Sequence, residues 1–267
     1  MCTLPLLNRI ARESYNQPGD VYELLKRRGM DLVTVTDHDS IDAVECLRDR
    51  SDFFVSEEVT CRMPSSTLVH VGVYDIEALA AYLTERKLLF SINHAFSSLT
   101  GRRESEDFRL VEELFPAVET RNGQMLGSTN RSSEDWARRA GKVAVAGSDA
   151  HALAASGRTC TEVAGARTKR EFFEGLRRGR GCARGEAGSP WKLTREVASI
   201  GWAMLREHPA WMPLMPLLVA VPLFILGNAL SETLFVHKWT RRLRAGERSG
   251  GGIARPLAPS GAWEMAQ

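Results

Sequence analysis

The chain has 267 residues, which is enough for one sizeable domain with an appendage or for two small domains. Its 43% hydrophobic and 25% charged residues are typical of a globular protein, and a net charge of only +2 argues against a nucleic-acid partner bound by bulk electrostatics. Five cysteines with no C-x-x-C pair argue against a disulfide framework and a structural zinc site, and favour a reducing compartment.

The apolar pattern predicts alternating helices and strands from residue 18 to residue 178. Strands are predicted over 31–36, 53–55, 68–74, 88–92, 117–118, 143–147 and 159–163. Helices are predicted over 20–29, 39–47, 75–83, 108–114, 132–140 and 168–178, the last opened by a capping box of Thr168 and Glu171. Repeated βα units imply a parallel sheet, open or closed, whose strands end on one face of the domain.

Acids and histidines follow several of these predicted strands. One strand ends in Asp37-His38-Asp39, and a later one ends in Ser148-Asp149-Ala150-His151. Four of the six histidines fall at or in predicted strands: His38, His70, His94 and His151. Histidine and carboxylate side chains are divalent-metal ligands, so their convergence on one face favours a metal site over a set of solvated polar strand ends.

In order along the chain, these segments resemble the PHP (polymerase and histidinol phosphatase) superfamily. The resemblance covers about residues 12 to 178 and rests on Thr36-Asp37-His38-Asp39, Glu57-Glu58-Val59-Thr60, Val69-His70-Val71, Asn93-His94 and Gly147-Ser148-Asp149-Ala150-His151. It implies an α/β fold, a distorted (β/α)7 TIM-like barrel. It also implies a metal-dependent phosphoesterase that holds two or three Zn, Mn, Fe or Mg ions.

The resemblance implies metal-binding roles for six residues. Glu58 would bridge two ions, and Asp149 would bind the first of them. The histidines would supply the remaining ligands, in the pairs His70 with His94 and His38 with His151. Mixed imidazole and carboxylate ligands suit Zn, Mn or Fe better than Ca, which prefers oxygen alone.

Other residues are expected to assist this chemistry. Asp37, Arg102 and Arg103 are the candidate catalytic residues, with Asp37 behind the ligands rather than on a metal. The two arginines could grip a phosphate through paired hydrogen bonds, or could simply face solvent. Glu119 and Asn122 at the next strand end are accessory candidates. The expected substrate is a small phosphorylated metabolite or nucleotide, hydrolysed by a metal-activated water.

The sequence departs from the family at the first metal site. The first strand of relatives ends in a His-x-His pair, and no histidine precedes His38 here. Either the chain as given starts downstream of the true start or has an altered beginning, or it is a divergent member whose first ion keeps only Glu58 and Asp149. In the divergent case the barrel would lack its first strand or build it from residues 3–7. The second case predicts a catalytically impaired PHP-like module, tethered to a membrane or partner.

The composition changes after residue 178. We predict a barrel domain over 1–182, a linker over 183–192, an apolar helical appendage over 193–246 and a disordered tail over 247–267. No charged residue occurs from Ala210 to Ser231, a length that meets the threshold for crossing a bilayer, although three prolines interrupt it. No secretory signal is visible. We therefore expect a cytoplasmic protein at the inner face of a membrane, through a shallow hairpin, with packing on the domain or a second subunit as the alternative.

Overall fold

The computed structural model describes residues 14–59, 61–62, 68–69, 74–98 and 103–248, and gives only the backbone for those between 61 and 79 and for 244–248. Several predictions from the sequence therefore lie outside the described residues: the strand over 3–7, His70, Arg102 and the tail beyond residue 248. The described chain is mixed α/β, with a parallel sheet and an apolar C-terminal helix.

Seven α-helices and eight strands are described. The helices are α1 Pro18–Arg27, α2 Ile76–Glu85, α3 Ser105–Leu114, α4 Gly127–Arg139, α5 Lys169–Arg177, α6 Pro190–Glu207 and α7 Val221–Arg248. The strands are β1 Cys61–Arg62, β2 Leu68–Val69, β3 Tyr74–Asp75, β4 Ser91–Ile92, β5 Ala117–Asn122, β6 Val143–Gly147, β7 Thr159–Val163 and β8 Gly181–Gly185. Short 3-10 helices cover Asp42–Leu47 and Leu153–Ala155, and a longer one covers Pro209–Ala220.

The sheet that positions the site is β4-β5-β6, and both of its strand pairs are parallel. Its centre is β5, where Ala117 and Val118 are fully buried. The β5–β6 register shifts between Glu119 and Arg121, which marks a β-bulge in the central strand. A second pair of extended segments runs parallel near the N-terminus, joined at Val33 with Phe53 and at His38 with Glu58.

Three strand groups are separate among the described residues, and no closed barrel is found among them. β1 pairs with β2 antiparallel and with β3 parallel, while β7 pairs with β8 antiparallel. The β7–β8 pair is linked to the main sheet by Thr161, whose hydroxyl accepts a hydrogen bond from the Ala146 N–H of β6 and donates to its carbonyl.

Of two helix starts predicted from the sequence, the structure confirms one and moves the other. The capping box that opens α5 is confirmed, because Thr168 accepts from the Glu171 N–H and Glu171 accepts from the Thr168 N–H. In contrast, α4 begins at Gly127, five residues before residue 132, where the predicted helix begins with Ser132 or Ser133 as its cap. Ser132 lies inside the helix instead, where its hydroxyl is hydrogen-bonded to Thr240 of α7.

The segment predicted as a linker over 183–192 is largely regular structure. Strand β8 pairs with β7 residue for residue, from Thr159 with Gly185 to Val163 with Gly181. Its glycines hid this strand from a composition-based prediction. Helix α6 then begins at Pro190, whose fixed φ suits a first turn, and Ser189 caps it by accepting from the Lys192 N–H.

The C-terminal helices pack onto the domain. Trp239 and Val236 of α7 are 1% and 5% exposed and belong to the same apolar cluster as Phe96, Phe108 and Trp136. The Trp239 and Phe108 rings lie 5.2 Å apart between centroids. Within the described residues, Pro209–Leu243 is also long and apolar enough to cross a membrane, because it contains an 18-residue stretch with a mean hydropathy of 2.0. The helix thus allows membrane association while one of its faces completes the core.

Candidate functional site

Polar side chains from three neighbouring parallel strands meet at the carboxyl edge of the main sheet. His94 follows β4, Glu119 and Asn122 lie in β5, and Asp149 follows β6. The His94 N–H donates to Glu119 Oε2 at 2.9 Å. The Asn122 amide donates to Glu119 Oε2 at 3.0 Å and to Asp149 Oδ2 at 3.1 Å. One continuous hydrogen-bonded group therefore joins the ends of all three strands.

The N-terminal pair of extended segments reaches the same group through Glu58. Its Oε1 lies 3.2 Å from Nε2 of His94, with both side chains about nine-tenths buried, at 13% and 10% exposed. The Glu58 backbone donates to the carbonyl of Asp37 and accepts from the N–H of Asp39, both at 3.0 Å. These bonds hold His38 alongside Glu58.

Backbone strain is concentrated at these strand ends. Four non-glycine residues in the described chain have positive φ, and three of them belong here: Asp39 at 54°, His94 at 32° and Asp149 at 47°. Positive φ is uncommon for residues with a Cβ, although His and Asp tolerate it better than most. Such strain persists only where surrounding contacts over-determine it, and it is enriched at functional sites.

The electrostatics show a surplus of negative charge. Burial opposes protonation of His94, but its hydrogen bond to Glu58 and the charges of Asp149, Glu119 and Glu58 outweigh this and raise its pKa to about 9. Burial raises the pKa of Glu119 to about 7, with the His94 charge lowering it and the Asp149 charge raising it. Three carboxylates thus surround one imidazole in a mostly buried setting that favours a cation.

Asn122 organises the centre of the group. Its side-chain oxygen accepts from the N–H groups of Gln124 and Met125 at 2.8 and 3.2 Å. Because those partners are donors, the amide nitrogen must face the two carboxylates. Its backbone is held in turn by Asn130 of α4, which accepts from the Asn122 N–H and donates to its carbonyl, both at 3.0 Å.

Asn130 was not identified from the sequence, although the pattern of polar residues in α4 could have indicated it. The buried positions of α4 are Thr129, Asn130, Ser133, Trp136 and Ala137, spaced as one helical face. Polar residues on a face otherwise committed to the core need partners. That requirement pointed to a hydrogen-bonded network beneath the sheet edge.

Gly123 sets how closely the ends of β5 and β6 approach. A Cβ at this position would lie 2.5 Å from the carbonyl oxygen of Ser148, which is backbone and cannot move aside cheaply. The Gly123 N–H donates to the Gly147 carbonyl at 3.0 Å. The short contact keeps Asn122 within reach of Asp149.

The remaining predicted residues are placed less centrally. His151 is half-buried, its Nδ1 lies 3.1 Å from the Asp149 carbonyl, and its own carbonyl accepts from Ser14 and Asn16. Asp37 is exposed and accepts from the His38 N–H.

Arg103 lies in the core, 7% exposed, beside a small cavity lined by Ile92, Phe108 and Trp136. Burial lowers its pKa to about 10, with Asp107 opposing the shift. Its role as a phosphate clamp stays a prediction.

The side chains at this site that could bind a metal ion lie in pairs rather than in larger groups. Within the part of the chain that the structure describes, no three His, Cys, Asp or Glu side chains lie close enough to hold one ion. The expected ligand His70 falls outside that part. The described geometry therefore consists of the Glu58–His94 pair and of Glu119 and Asp149 bridged by Asn122.

Of three comparisons with known proteins, one names a family. A family described as PHP-associated matches residues 127–180, a stretch that holds α4, β6 and the Asp149–His151 segment. A similar solved structure is that of PsfC from Pseudomonas syringae PB-5123, with a TM-score of 0.52 and 16% identity over 74% of this chain and 95% of that one. At that identity the similarity shows the fold alone. No curated protein sequence matches the chain. The family match over residues 127–180 is therefore what associates the chain with PHP proteins.

Proposed function

We propose that this protein is a PHP-type, metal-dependent phosphoesterase that hydrolyses a small phosphorylated metabolite or nucleotide. The observation that carries the proposal is the meeting of Glu58, His94, Glu119 and Asp149 at the ends of parallel strands. In α/β sheets, ligands bind at this edge. The proposal includes closure of the strand groups into a distorted barrel, which the PHP-associated match over residues 127–180 supports.

The chemistry of the donor set fits a divalent transition metal. Imidazole nitrogen and carboxylate oxygen bind Zn, Mn or Fe at roughly 2.0–2.2 Å, which places two ligands of one ion about 3.4 Å apart. The Glu58 and His94 donors lie 3.2 Å apart, close to that separation. His38, Glu58, His70, His94, Asp149 and His151 remain the proposed ligands.

Divalent ions bound here would neutralise the ester phosphate and lower the pKa of a water ligand toward neutrality. The residues of the chain would supply orientation. Glu119 fixes the backbone of His94 by accepting a hydrogen bond from its N–H. Asn122 holds the Glu119 and Asp149 carboxylates in one arrangement. Such residues behind the ligands keep donors at fixed angles and so raise metal affinity.

The test is metal content of the purified full-length protein, followed by hydrolysis of p-nitrophenyl phosphate after loading with Mn, Zn, Fe or Mg. Asp149→Asn is expected to lower metal affinity and activity by at least about 100-fold, since even residues behind ligands cost 10–100-fold. The matched control is Glu162→Gln, an exposed carboxylate on β7 paired with Arg184, which should leave both unchanged. Protein that takes up no metal and hydrolyses nothing, or equal behaviour of the two variants, would overturn the proposal.

A second candidate is a catalytically impaired PHP-like module tethered to a membrane or partner. It is favoured by the absence of any three-donor group among the described residues, which do not include His70. This candidate predicts an unchanged circular dichroism spectrum after chelation and no hydrolysis with any metal. Either candidate would act in the cytoplasm, at the inner face of a membrane.

A further inference from the structure

Helix α7 exposes a continuous apolar stripe. Leu223, Leu226, Leu230 and Leu234 are 72%, 55%, 62% and 62% exposed, and their spacing of three, four and four residues places them on one face. The preceding 3-10 helix adds Leu217 and Val219, among others, at 66% and 80% exposed. An exposed patch of this kind marks an interaction surface.

The opposite face of α7 is committed to the domain. Ile225, Glu232, Val236 and Trp239 are each 5% exposed or less. Glu232 accepts hydrogen bonds from the Thr129 hydroxyl and the Leu126 N–H. A helix bound to the core along this face cannot cross a bilayer unless those contacts are broken. The geometry therefore favours a helix that lies on a surface, with only its outer face available.

The exposed stripe changes character along its length. After Leu234 the same face continues four and seven residues later with Lys238 and Arg241, both exposed. From residue 208 to residue 243 the sequence has one acidic residue, Glu232, and it is buried against the domain. A second copy meeting this face would therefore offer no exposed acidic residue from the same stretch to pair with Lys238 and Arg241. A surface that is apolar inside and anionic at its rim matches both halves of the stripe.

We infer that α7 lies in the interface of an anionic lipid bilayer, with its leucine stripe among the acyl chains and with Lys238 and Arg241 at the lipid phosphates. This inference is independent of the proposed chemistry. It fixes the protein to one leaflet and turns the domain side of α7, with its buried Glu232, away from the lipid.

The test is flotation of the folded full-length protein with phosphatidylcholine vesicles, with and without phosphatidylserine. Wild type is expected to bind the anionic vesicles more tightly, with affinity falling as salt rises. A Lys238→Gln, Arg241→Gln double variant should lose about 25-fold on anionic vesicles, roughly five-fold per cation, with little change on neutral ones. Leu226→Gln with Leu230→Gln should weaken binding to both kinds of vesicle.

The control is Leu88→Gln, which changes an exposed leucine (49% exposed) outside the C-terminal helices and should leave vesicle binding unchanged. Alkaline carbonate should release the wild type, because the helix lies on the bilayer. Resistance to carbonate would mean a span through Pro209–Leu243. A stable dimer with no vesicle affinity, or unaltered binding of the lysine and arginine double variant, would equally overturn the inference. None of these readouts depends on hydrolysis.

Discussion

The packing of α7 on the domain is best tested by Trp239→Ala. The indole is 1% exposed and lies against Phe108, in the same cluster as Trp136. A buried tryptophan removes on the order of 200 Å² from water. At roughly 25 cal/mol per Å² this corresponds to about 5 kcal/mol. Tryptophan-to-alanine changes in cores cost about 3–5 kcal/mol, so we expect a loss in that range.

The assay is urea unfolding of the full-length protein followed by circular dichroism. Leu234→Ala is the matched control, because Leu234 lies on the opposite face of the same helix, is 62% exposed, and should cost less than about 0.5 kcal/mol. If Trp239→Ala does not fold, Trp239→Phe supplies a milder change, expected to cost about 1–3 kcal/mol. Equal stability of the Trp239 and Leu234 variants would refute the assignment of α7 to the core.

Three further predictions concern the site and its support. Asn122→Ala should lower the free energy of unfolding, measured in urea, by on the order of 3 kcal/mol. The reason is that the buried N–H groups of Gln124 and Met125 would lose the side-chain oxygen that accepts their hydrogen bonds. Gly123→Ala should cost about 1–3 kcal/mol by forcing the strand ends apart, whereas Gly19→Ala, with open space around it, should be nearly neutral; equal effects would contradict this. Burial raises the pKa of Glu232, so the folded state holds that proton more tightly than the unfolded state. The free energy of unfolding should therefore fall as the pH rises above 4.5, the ordinary pKa of a glutamate side chain. In a pH series of urea unfolding midpoints, Glu232→Gln should remove the part of this fall that Glu232 causes. A variant whose midpoints depend on pH as those of the wild type do would contradict the prediction.

The strand ends were predictable because each carries a sharp local signal. An apolar run such as Val143–Gly147 stops and an acid follows two residues later, so the sheet and the position of Asp149 could be inferred from the sequence. The positive φ of His94 could not, because it depends on contacts from Glu58 and Glu119, residues distant in sequence. Local patterns carry no information about such contacts.

The C-terminal helices could be predicted only in part for a related reason. Helix α7 is apolar both where it meets the domain, as at Val236, and where it is exposed, as at Leu230. Periodicity distinguishes a core face from a polar one, so a helix apolar on both sides resembles a membrane span in sequence. Glu232 accepts hydrogen bonds from Thr129 in α4 and from Leu126, the residue before α4, and these bonds show which face of α7 lies against the domain. Both partners are about a hundred positions away in the sequence.

The bulge in β5 has a consequence for how the centre can be recognised in sequence. In a regular strand, residues three apart point to opposite sides of the sheet. The extra residue between Glu119 and Asn122 cancels that alternation, which is why their side chains meet at 3.0 Å. The same residues in a regular strand without the bulge would regain the alternation, and the amide would then turn away from both carboxylates. The bulge is therefore as much a part of the pattern E-x-x-N as the two residues themselves.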